Sequence, residues 1–282
     1  MLTKKLVLQT DFGLSDGAVS AMYGVALNVD SKLDIFDLTH EIPQYNIWEA
    51  SYRIYQTISY WPEETVFVSV VDPGVGTDRE SVVVKTNANQ YIITPNNGTL
   101  THIEQDIGIQ SIREIDEKLN RLPNSGASYT FHGRDIYAYT GARLASGVIS
   151  FEEVGPELDL QSIITLNNPK AYLESGILYG KIDILDIRFG NVWTNISREL
   201  FLSLDVDFGD LFEVTIIKND RQIFKNTISY GRSFADSRLG EAILFVNSVD
   251  SLGIAINQGS FAQAYHVETG VNWKIEIKKA DK

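Results

Sequence analysis

The first half of the chain alternates between two periodicities of apolar residues. Short, nearly continuous apolar runs predict buried strands at 5–10, 33–39, 65–72, 81–87 and 91–95. Elsewhere, apolar residues recur at the spacing of one helix face over 16–29, 46–61 and 133–147, which predicts three helices. Strands that are apolar on both faces and alternate with helices are typical of an α/β fold. We therefore predict a mostly parallel sheet with flanking helices.

The pattern changes after the turn-forming sequence NNP at 167–169. Short strands separated by turn clusters are predicted at 176–187, 211–217, 222–228, 241–248 and 273–278, with little helix. This pattern is typical of a small all-β barrel or sandwich. We therefore predict an α/β N-terminal domain over 1–168 and a smaller, barrel-like all-β C-terminal domain over 169–282.

The composition narrows the classes of function. A formal net charge of -13 and the lack of a Lys/Arg stripe argue against a nucleic-acid-binding surface. The chain has no cysteine, which excludes a disulfide, a thiolate nucleophile and a zinc–thiolate site. Its four histidines show no metal-ligand spacing, so we expect no metal. Neither a signal peptide nor a membrane-spanning apolar run is recognisable, and we expect a soluble, cytoplasmic protein.

The loop VDPGVGTDR at 71–79 joins two predicted strands and contains two glycines. It is not a phosphate-binding loop, because Gly76 is followed by Thr77 and not by the lysine of a Walker motif. Asp72 instead lies at the carboxyl end of a strand, where open α/β sheets bind ligands. Arg79 lies on the return of the same loop, and His132 directly precedes the third predicted helix, at an expected strand-to-helix junction.

Two interpretations of these residues are open from their spacing. Asp72, Arg79 and His132 could together hold and polarise a water molecule, with the arginine keeping the carboxylate ionised. Alternatively, they could be a turn cap, a surface salt bridge and a helix cap. Spacing alone favours the second interpretation.

A set of short motifs, taken in order, resembles a known family. They are TDFG (10–13), DPGVG (72–76), PNNG (95–98), FHGRD (131–135) and FGNVWTNI (189–196). From about Leu6 to Asn257 the chain resembles the S-adenosyl-L-methionine hydrolases, the adenosine-forming hydroxide adenosyltransferases related to the fluorinase and chlorinase. The resemblance implies an α/β N-terminal domain and a β-barrel C-terminal domain. It also implies a homotrimer in which each ligand is held between one subunit's N-terminal domain and its neighbour's C-terminal domain.

The resemblance also implies a reaction and a catalytic set. Asp72, Arg79 and His132 would lie beside the C5′ carbon of S-adenosyl-L-methionine, where water or hydroxide attacks and methionine leaves. Adenosine is the second product, and neither a cofactor nor a metal is implied. The departing sulfonium becomes a neutral thioether, so the reaction needs no general acid.

The same resemblance implies a set of substrate-binding residues. Asp11 would accept both ribose hydroxyls, which suits the two oxygens of a carboxylate. Tyr45 would lie near the sugar and the methionine. The remaining implied contacts are Asp186 to the methionine amino group, Phe189 and Asn191 on the adenine side, Tyr230 flanking adenine, Ser248 at the methionine carboxylate, and the backbone of Ile256 to Gln258 at the adenine edge. Val249 replaces an arginine of the halogenases, so the carboxylate contact is expected to rest on Ser248 and backbone amides.

Four alternatives stay open. A halogenase is disfavoured because Gly133 replaces the halide-binding serine and Asp72 would repel a halide. A metal hydrolase lacks the necessary histidine spacing. A non-catalytic sensor of S-adenosylmethionine or adenosine would keep the pocket without turnover. A nucleosidase would release adenine in place of adenosine.

Overall fold

A computed structural model describes residues 5–280, which divide into two compact units between Leu166 and Asn167. Residues 1–4, which entered the prediction about a signal peptide, lie outside this range. The strands of the N-terminal unit are β1 (Lys5–Thr10), β2 (Asp34–Thr39), β3 (Val66–Val70), β4 (Ser81–Thr86), β5 (Tyr91–Pro95), β6 (Ile109–Glu114) and β7 (Glu157–Leu158). Its α-helices are α1 (Ala18–Val29), α2 (Ile47–Ile58), α3 (Thr101–Asp106), α4 (Glu117–Asn120) and α5 (Tyr139–Ser146). Short 3₁₀ turns occupy Glu152–Val154 and Leu160–Ser162.

The N-terminal sheet has the strand order β2-β1-β3-β5-β4-β6-β7. Strands β2, β1, β3 and β5 form parallel pairs. Strands β4, β6 and β7 extend the sheet through antiparallel pairs. The predicted parallel arrangement therefore describes one half of the sheet, and the other half is antiparallel. The reason is local, because the connection from β4 to β5 is too short for a parallel crossover.

Helices cover both faces of this sheet. Leu6 and Leu8 of β1 point to the face covered by α1 and α5, whereas Val7 between them points to the face covered by α2 and α3. All three side chains are fully buried or nearly so. This two-sided burial explains the nearly continuous apolar runs of the central strands.

The third predicted helix is not regular from its start. Residues Gly133–Ala138 form a π-helical turn that continues into α5. The helix ends at Gly147, whose positive φ of 73° suits a left-handed C-cap. A π turn inserts one extra residue and rotates the side chains that precede it relative to those that follow. Here it lies directly after His132.

The C-terminal unit is a β-barrel. Its strands are β8 (Tyr172–Glu174), β9 (Ile177–Asp186), β10 (Asn191–Ser197), β11 (Leu211–Lys218), β12 (Arg221–Tyr230), β13 (Ala242–Val246), β14 (Ser251–Ile256) and β15 (Trp273–Lys279). Seven strands close in the order β10-β14-β13-β12-β11-β15-β9, because β9 also pairs with β10, and β8 adds to the outside of β9. Its helical segments are short: α6 (Arg198–Leu202), α7 (Phe261–Tyr265) and a 3₁₀ turn at Phe234–Asp236.

The predicted fold class is confirmed: an α/β sheet domain is followed by a β-barrel. The barrel has its own core, which includes the fully buried Leu178, Val214 and Ile254. Closure into a barrel, as opposed to a sandwich, depends on β10 and β14, which the apolar pattern did not predict as strands. No helix within residues 5–280 has the length and apolar character needed to cross a membrane.

Two helical glycines provide a matched test of how α5 packs on the sheet. A Cβ at Gly141 of α5 would lie 2.5 Å from Val68 Cγ2, whereas a Cβ at Gly24 of α1 would meet nothing within 4 Å. Gly141→Ala is therefore expected to lower the free energy of unfolding by about 1–3 kcal/mol through overpacking. Gly24→Ala is expected to raise it by about 0.5–1 kcal/mol, because alanine is the better helix former. Chemical denaturation of both variants checks this, and a stabilising Gly141→Ala would contradict the close contact.

Candidate functional site

The N-terminal unit contains a cleft of about 360 Å³ at the ends of β1 and β3. Neighbouring parallel strands end at the same edge of a sheet, so the residues that follow them come together there. The cleft is lined by four of the predicted residues, Asp11, Tyr45, Asp72 and His132. Its other lining residues, which the sequence analysis did not select as ligand contacts, include Phe12, Gln44, Val75 and Phe131.

Asp72 and Arg79 form a bidentate salt bridge. Arg79 Nε donates to Asp72 Oδ1 at 2.7 Å, and Nη2 donates to Oδ2. The backbone N–H of Gly74 adds a donor to Oδ1 at 3.2 Å. The Asp72 side chain is only 5% exposed and that of Arg79 13%. Parallel two-point contact of this kind fixes both the position and the orientation of a carboxylate.

Further hydrogen bonds fix the Arg79 guanidinium on the side away from Asp72. Its Nη1 donates to the carbonyl of Glu80 at 3.2 Å and to Ser81 Oγ at 3.3 Å. Ser81 Oγ lies 2.9 Å from the hydroxyl of Tyr137, which is fully buried on the π turn. Burial raises the pKa of Tyr137 far above its usual value, so the side chain stays a neutral phenol. No sequence signal selected Ser81 or Tyr137, because the π turn determines where Tyr137 points.

His132 lies at the start of the π turn and is 5% exposed. The expected strand before it is absent: residues 121–131 form turns and loops, so His132 is at a loop-to-helix junction. The loop forms because Pro123, Asn124 and Gly126 are turn residues that cannot continue a strand.

Two features define the state of the His132 imidazole. Arg121 Nη2 lies 3.5 Å from Nε2, and Nδ1 is buried without a hydrogen-bond partner among the described residues. Burial lowers the pKa of His132. Arg121 and Arg79 lower it further, while Glu117 and Asp72 act in the opposite direction.

Asp11 follows β1 and belongs to a rigid turn. Its Oδ2 accepts the N–H of Tyr45 at 2.9 Å. Thr10 Oγ1 accepts the N–H of Phe12 at 3.2 Å and lies 2.8 Å from Nδ1 of the buried His40. Asp11 Oδ1 and the remaining lone pairs of Oδ2 stay available to hydroxyl groups in the cleft.

Gly133 allows the aromatic wall of the cleft to close tightly. A Cβ at this position would lie 3.0 Å from the Phe12 ring and 3.3 Å from the Phe131 ring. The two rings meet edge to face with centroids 5.8 Å apart. A larger residue at 133 would therefore require the Phe12 and Phe131 rings to shift by a few tenths of an ångström.

A second cleft, of about 590 Å³, lies in the C-terminal unit. It brings together five predicted residues, Asp186, Phe189, Asn191, Ile256 and Gln258. Phe234, Asn257 and Ser260 also line it, and the sequence analysis did not select their side chains.

The turn between β9 and β10 shapes this cleft. Asn191 Nδ2 donates to Asp186 Oδ2 at 3.1 Å. Phe189, at the tip of the turn, is 68% exposed. Gly190 has a φ of 70°, and a Cβ there would lie 1.9 Å from Ser260 Oγ, so no other residue fits.

Three predicted residues, Arg79, Tyr230 and Ser248, do not line either cleft. Arg79 is connected to the N-terminal cleft through its contact with Asp72. Tyr230 is 6% exposed, belongs to the barrel core and stacks on Phe208 with centroids 4.9 Å apart. Ser248 is exposed in the turn between β13 and β14. Tyr230 and Ser248 were selected by the motif match alone, and such a match does not show whether a side chain faces the core or the cleft.

No group of three or more His, Asp or Glu side chains within residues 5–280 is placed to bind a metal ion. The absence of a metal and of a cofactor in the working protein stays a prediction.

The chain matches one family in both units. Residues 6–155 match the SAM hydroxide adenosyltransferase N-terminal domain, and residues 180–274 match the SAM hydroxide adenosyltransferase C-terminal domain. This chain therefore belongs to the family of SAM hydroxide adenosyltransferase enzymes, where SAM is S-adenosylmethionine. The family suggested by the sequence motifs is thus confirmed.

Individual relatives cover much of the chain. The (R)-S-adenosyl-L-methionine hydrolase of Methanocaldococcus jannaschii is 36% identical over 198 residues, covering 69% of this chain and 67% of its own length. A fluorinase of Actinopolyspora mzabensis is 27% identical over 294 residues, covering 96% of each chain. A solved structure of a conserved protein from Thermotoga maritima superposes with a TM-score of 0.88 at 36% identity, covering 97% of this chain and 100% of that one.

The environment of His132 predicts how stability depends on pH. Because folding lowers its pKa from the ordinary value of 6.5, the unfolded chain binds more protons in the window below that value. The stability contributed by the neutral imidazole is present above this window and is lost as the pH falls through it. His132→Asn removes the titration, so its free energy of unfolding is expected to fall less than that of the wild type between about pH 7 and about pH 5. Urea denaturation across this range checks it, and an equal loss in both proteins would contradict it.

Proposed function

We propose that this chain hydrolyses S-adenosylmethionine to adenosine and L-methionine by attack of an oriented water or hydroxide on C5′ of the substrate. The observation that carries the proposal is that Asp72, held in a largely buried ion pair by Arg79, lines one cleft together with His132 in a chain of this family. A water molecule beside these groups has a carboxylate to accept its proton and fixed donors to orient it.

The charge balance of the reaction suits such a cleft. A sulfonium leaves as a neutral thioether, so no side chain has to protonate the leaving group. When an anionic nucleophile approaches a cationic carbon–sulfur centre, charge is neutralised on the way to the transition state. A water-poor environment therefore disfavours the separated ions more than the transition state. The low exposure of Asp72, Arg79 and His132 supports this role.

We propose separate roles for the two clefts. In the N-terminal cleft, Asp11 accepts the ribose hydroxyls and Tyr45 borders the sugar and the methionine. In the C-terminal cleft, Asp186 binds the methionine ammonium, and Phe189 and Asn191 contact the adenine, with Ile256 and Gln258 at its edge. A flat exposed ring such as Phe189 suits a purine, and a carboxylate suits an ammonium. Tyr230 and Ser248 are left without a proposed direct contact.

We further propose that the preferred substrate is the R form at sulfur. The name of the Methanocaldococcus jannaschii relative specifies this form. Hydrolysis of a methyl donor would be wasteful for a cell. An enzyme specific for the R form would not consume a methyl donor that has the opposite configuration at sulfur. The homotrimer implied by the motifs, and the absence of other partners and of a cofactor, stay predictions.

Halogenation is the second candidate, because a fluorinase is among the relatives. Asp72 opposes it, since a buried carboxylate in the cleft repels a halide ion. Gly133 opposes it as well, because this position has no side-chain hydroxyl to bind a halide. We therefore place hydrolysis first.

Product analysis in isotopically labelled water tests the proposal. The protein is incubated separately with the R and S sulfonium forms in ¹⁸O-labelled water, with a chelator and without halide. We expect adenosine carrying one heavy oxygen, unlabelled methionine, and a preference for the R form of about 10-fold or more. Released adenine would support a nucleosidase instead. Binding of both forms without any product would contradict hydrolysis and leave a sensor.

A further inference from the structure

A buried arginine outside the predicted catalytic set lies next to His132. Arg121 follows α4, and its side chain is 12% exposed. Its Nη2 donates to Glu117 Oε2 at 2.6 Å and lies 3.5 Å from His132 Nε2. Its guanidinium stacks 5.1 Å from the centroid of Tyr129, and the same ring meets the His132 ring edge to face at 6.4 Å. These four side chains form one packed group.

The backbone beneath Arg121 is fixed to the helical segment that follows His132. The N–H of Leu122 donates to the carbonyl of Asp135 on the π turn at 2.8 Å. Arg143 Nη1 on α5 donates to Asn120 Oδ1 at 2.6 Å. The separation between the guanidinium and the imidazole is therefore set by the fold and not by a mobile loop.

The identity of the neighbour determines where the imidazole proton lies. An arginine side chain can only donate hydrogen bonds, so the nitrogen that faces it must be an acceptor. A hydrogen bond across this 3.5 Å contact therefore requires an unprotonated Nε2, which places the proton of the neutral ring on Nδ1. Nδ1 is buried and has no partner among residues 5–280, while the residue lines the N-terminal cleft. Its N–H is a donor without an acceptor among the described residues, and a molecule bound against His132 would have to supply that acceptor.

We propose that Arg121 is a positioning residue that keeps His132 neutral with its proton on Nδ1, so that His132 orients the attacking water as a hydrogen-bond donor and Asp72 accepts the water proton. This inference rests on the proposed hydrolysis. The step balances: the water oxygen bonds to C5′, the electron pair of the C5′–S bond stays on sulfur as a thioether, and the proton moves to the Asp72 carboxylate. With Nδ1 protonated and Nε2 facing a cation, His132 has no basic nitrogen free for this proton.

The charges around the ring support the neutral form. Arg121 and Arg79 face it as cations, and Glu117 and Asp72 face it as anions, while Tyr129 packs against it without charge. Burial is the largest influence and lowers the pKa of His132. If Arg121 is removed, Glu117 and Asp72 remain, and the balance shifts toward the imidazolium.

Nitrogen NMR of the histidine-labelled protein, without substrate, tests the protonation state directly. The His132 signals are identified by their loss in His132→Asn. We expect the wild type to show a protonated Nδ1 and an unprotonated Nε2. In Arg121→Gln the tautomers are expected to mix and the pKa of His132 to rise. Lys118→Gln removes an equal charge from an exposed position of α4 and is expected to change neither. An unchanged His132 tautomer and pKa in Arg121→Gln would overturn the proposal, whether or not the protein hydrolyses S-adenosylmethionine.

The pH dependence of turnover provides a second test of the proposal. Because the reaction needs neutral His132, activity is expected to fall as the pH drops through the His132 pKa, and Arg121→Gln moves this fall to higher pH. Above it, the variant is expected to lose roughly 10- to 100-fold in kcat through misplacement of the ring. Arg121→Lys, which keeps the charge, is expected to recover the wild-type pH profile in part. The double variant Arg121→Gln/His132→Asn is expected to be no slower than His132→Asn, since Arg121 acts through His132. Full additivity of the two losses would overturn the positioning role.

Discussion

The two-point ion pair between Asp72 and Arg79 is the interaction on which the N-terminal site depends. A carboxylate that is almost withdrawn from water is costly unless a cation and further donors replace its hydration. The loop from β3 to β4 provides that cation only seven residues later along the chain. The loop in turn needs Ser81 and Tyr137 behind Arg79, and Tyr137 reaches this place through the π turn. The irregular start of the third helix is therefore part of the same arrangement as the ion pair.

Each unit contributes a different kind of surface. The N-terminal cleft is built at strand ends, where β1 and β3 place Asp11 and Asp72 at the same edge, and the Asp72–Arg79 pair there is largely buried. The C-terminal cleft is built on a barrel turn that presents an exposed ring, Phe189, beside the carboxylate of Asp186. The first surface suits a reaction that must control water. The second suits recognition of a flat base and an ammonium.

Much of the fold could be predicted from the sequence, and the misses have physical causes. Nearly continuous apolar runs located β1 and β3, which are buried on both faces, and helical spacing located α1 and α2, which bury one face. The strand β14 was missed, although it closes the barrel, because its interruption by Gly253 weakens the alternation.

The candidate site was only partly accessible to sequence reasoning. Asp72 could be placed at a strand end from the sequence, but its grouping with Asp11 and His132 depended on the family motifs, since spacing alone favoured caps and a surface salt bridge, and the strand expected before His132 is absent. Arg121 and Tyr137 could not be predicted as part of the site, since the position of Arg121 depends on a loop that folds back and that of Tyr137 on a π turn.

The role of Asp72 is tested most directly by Asp72→Asn, which keeps the shape of the side chain and removes its charge. The matched control is Asp78→Asn, at an exposed aspartate of the same loop. Single-turnover measurement of adenosine formation, with substrate affinity measured in parallel, should show a loss of about 100-fold or more for Asp72→Asn with affinity retained, and no loss for Asp78→Asn. A rate for Asp72→Asn within a few-fold of the wild type would contradict the central role of the ion pair.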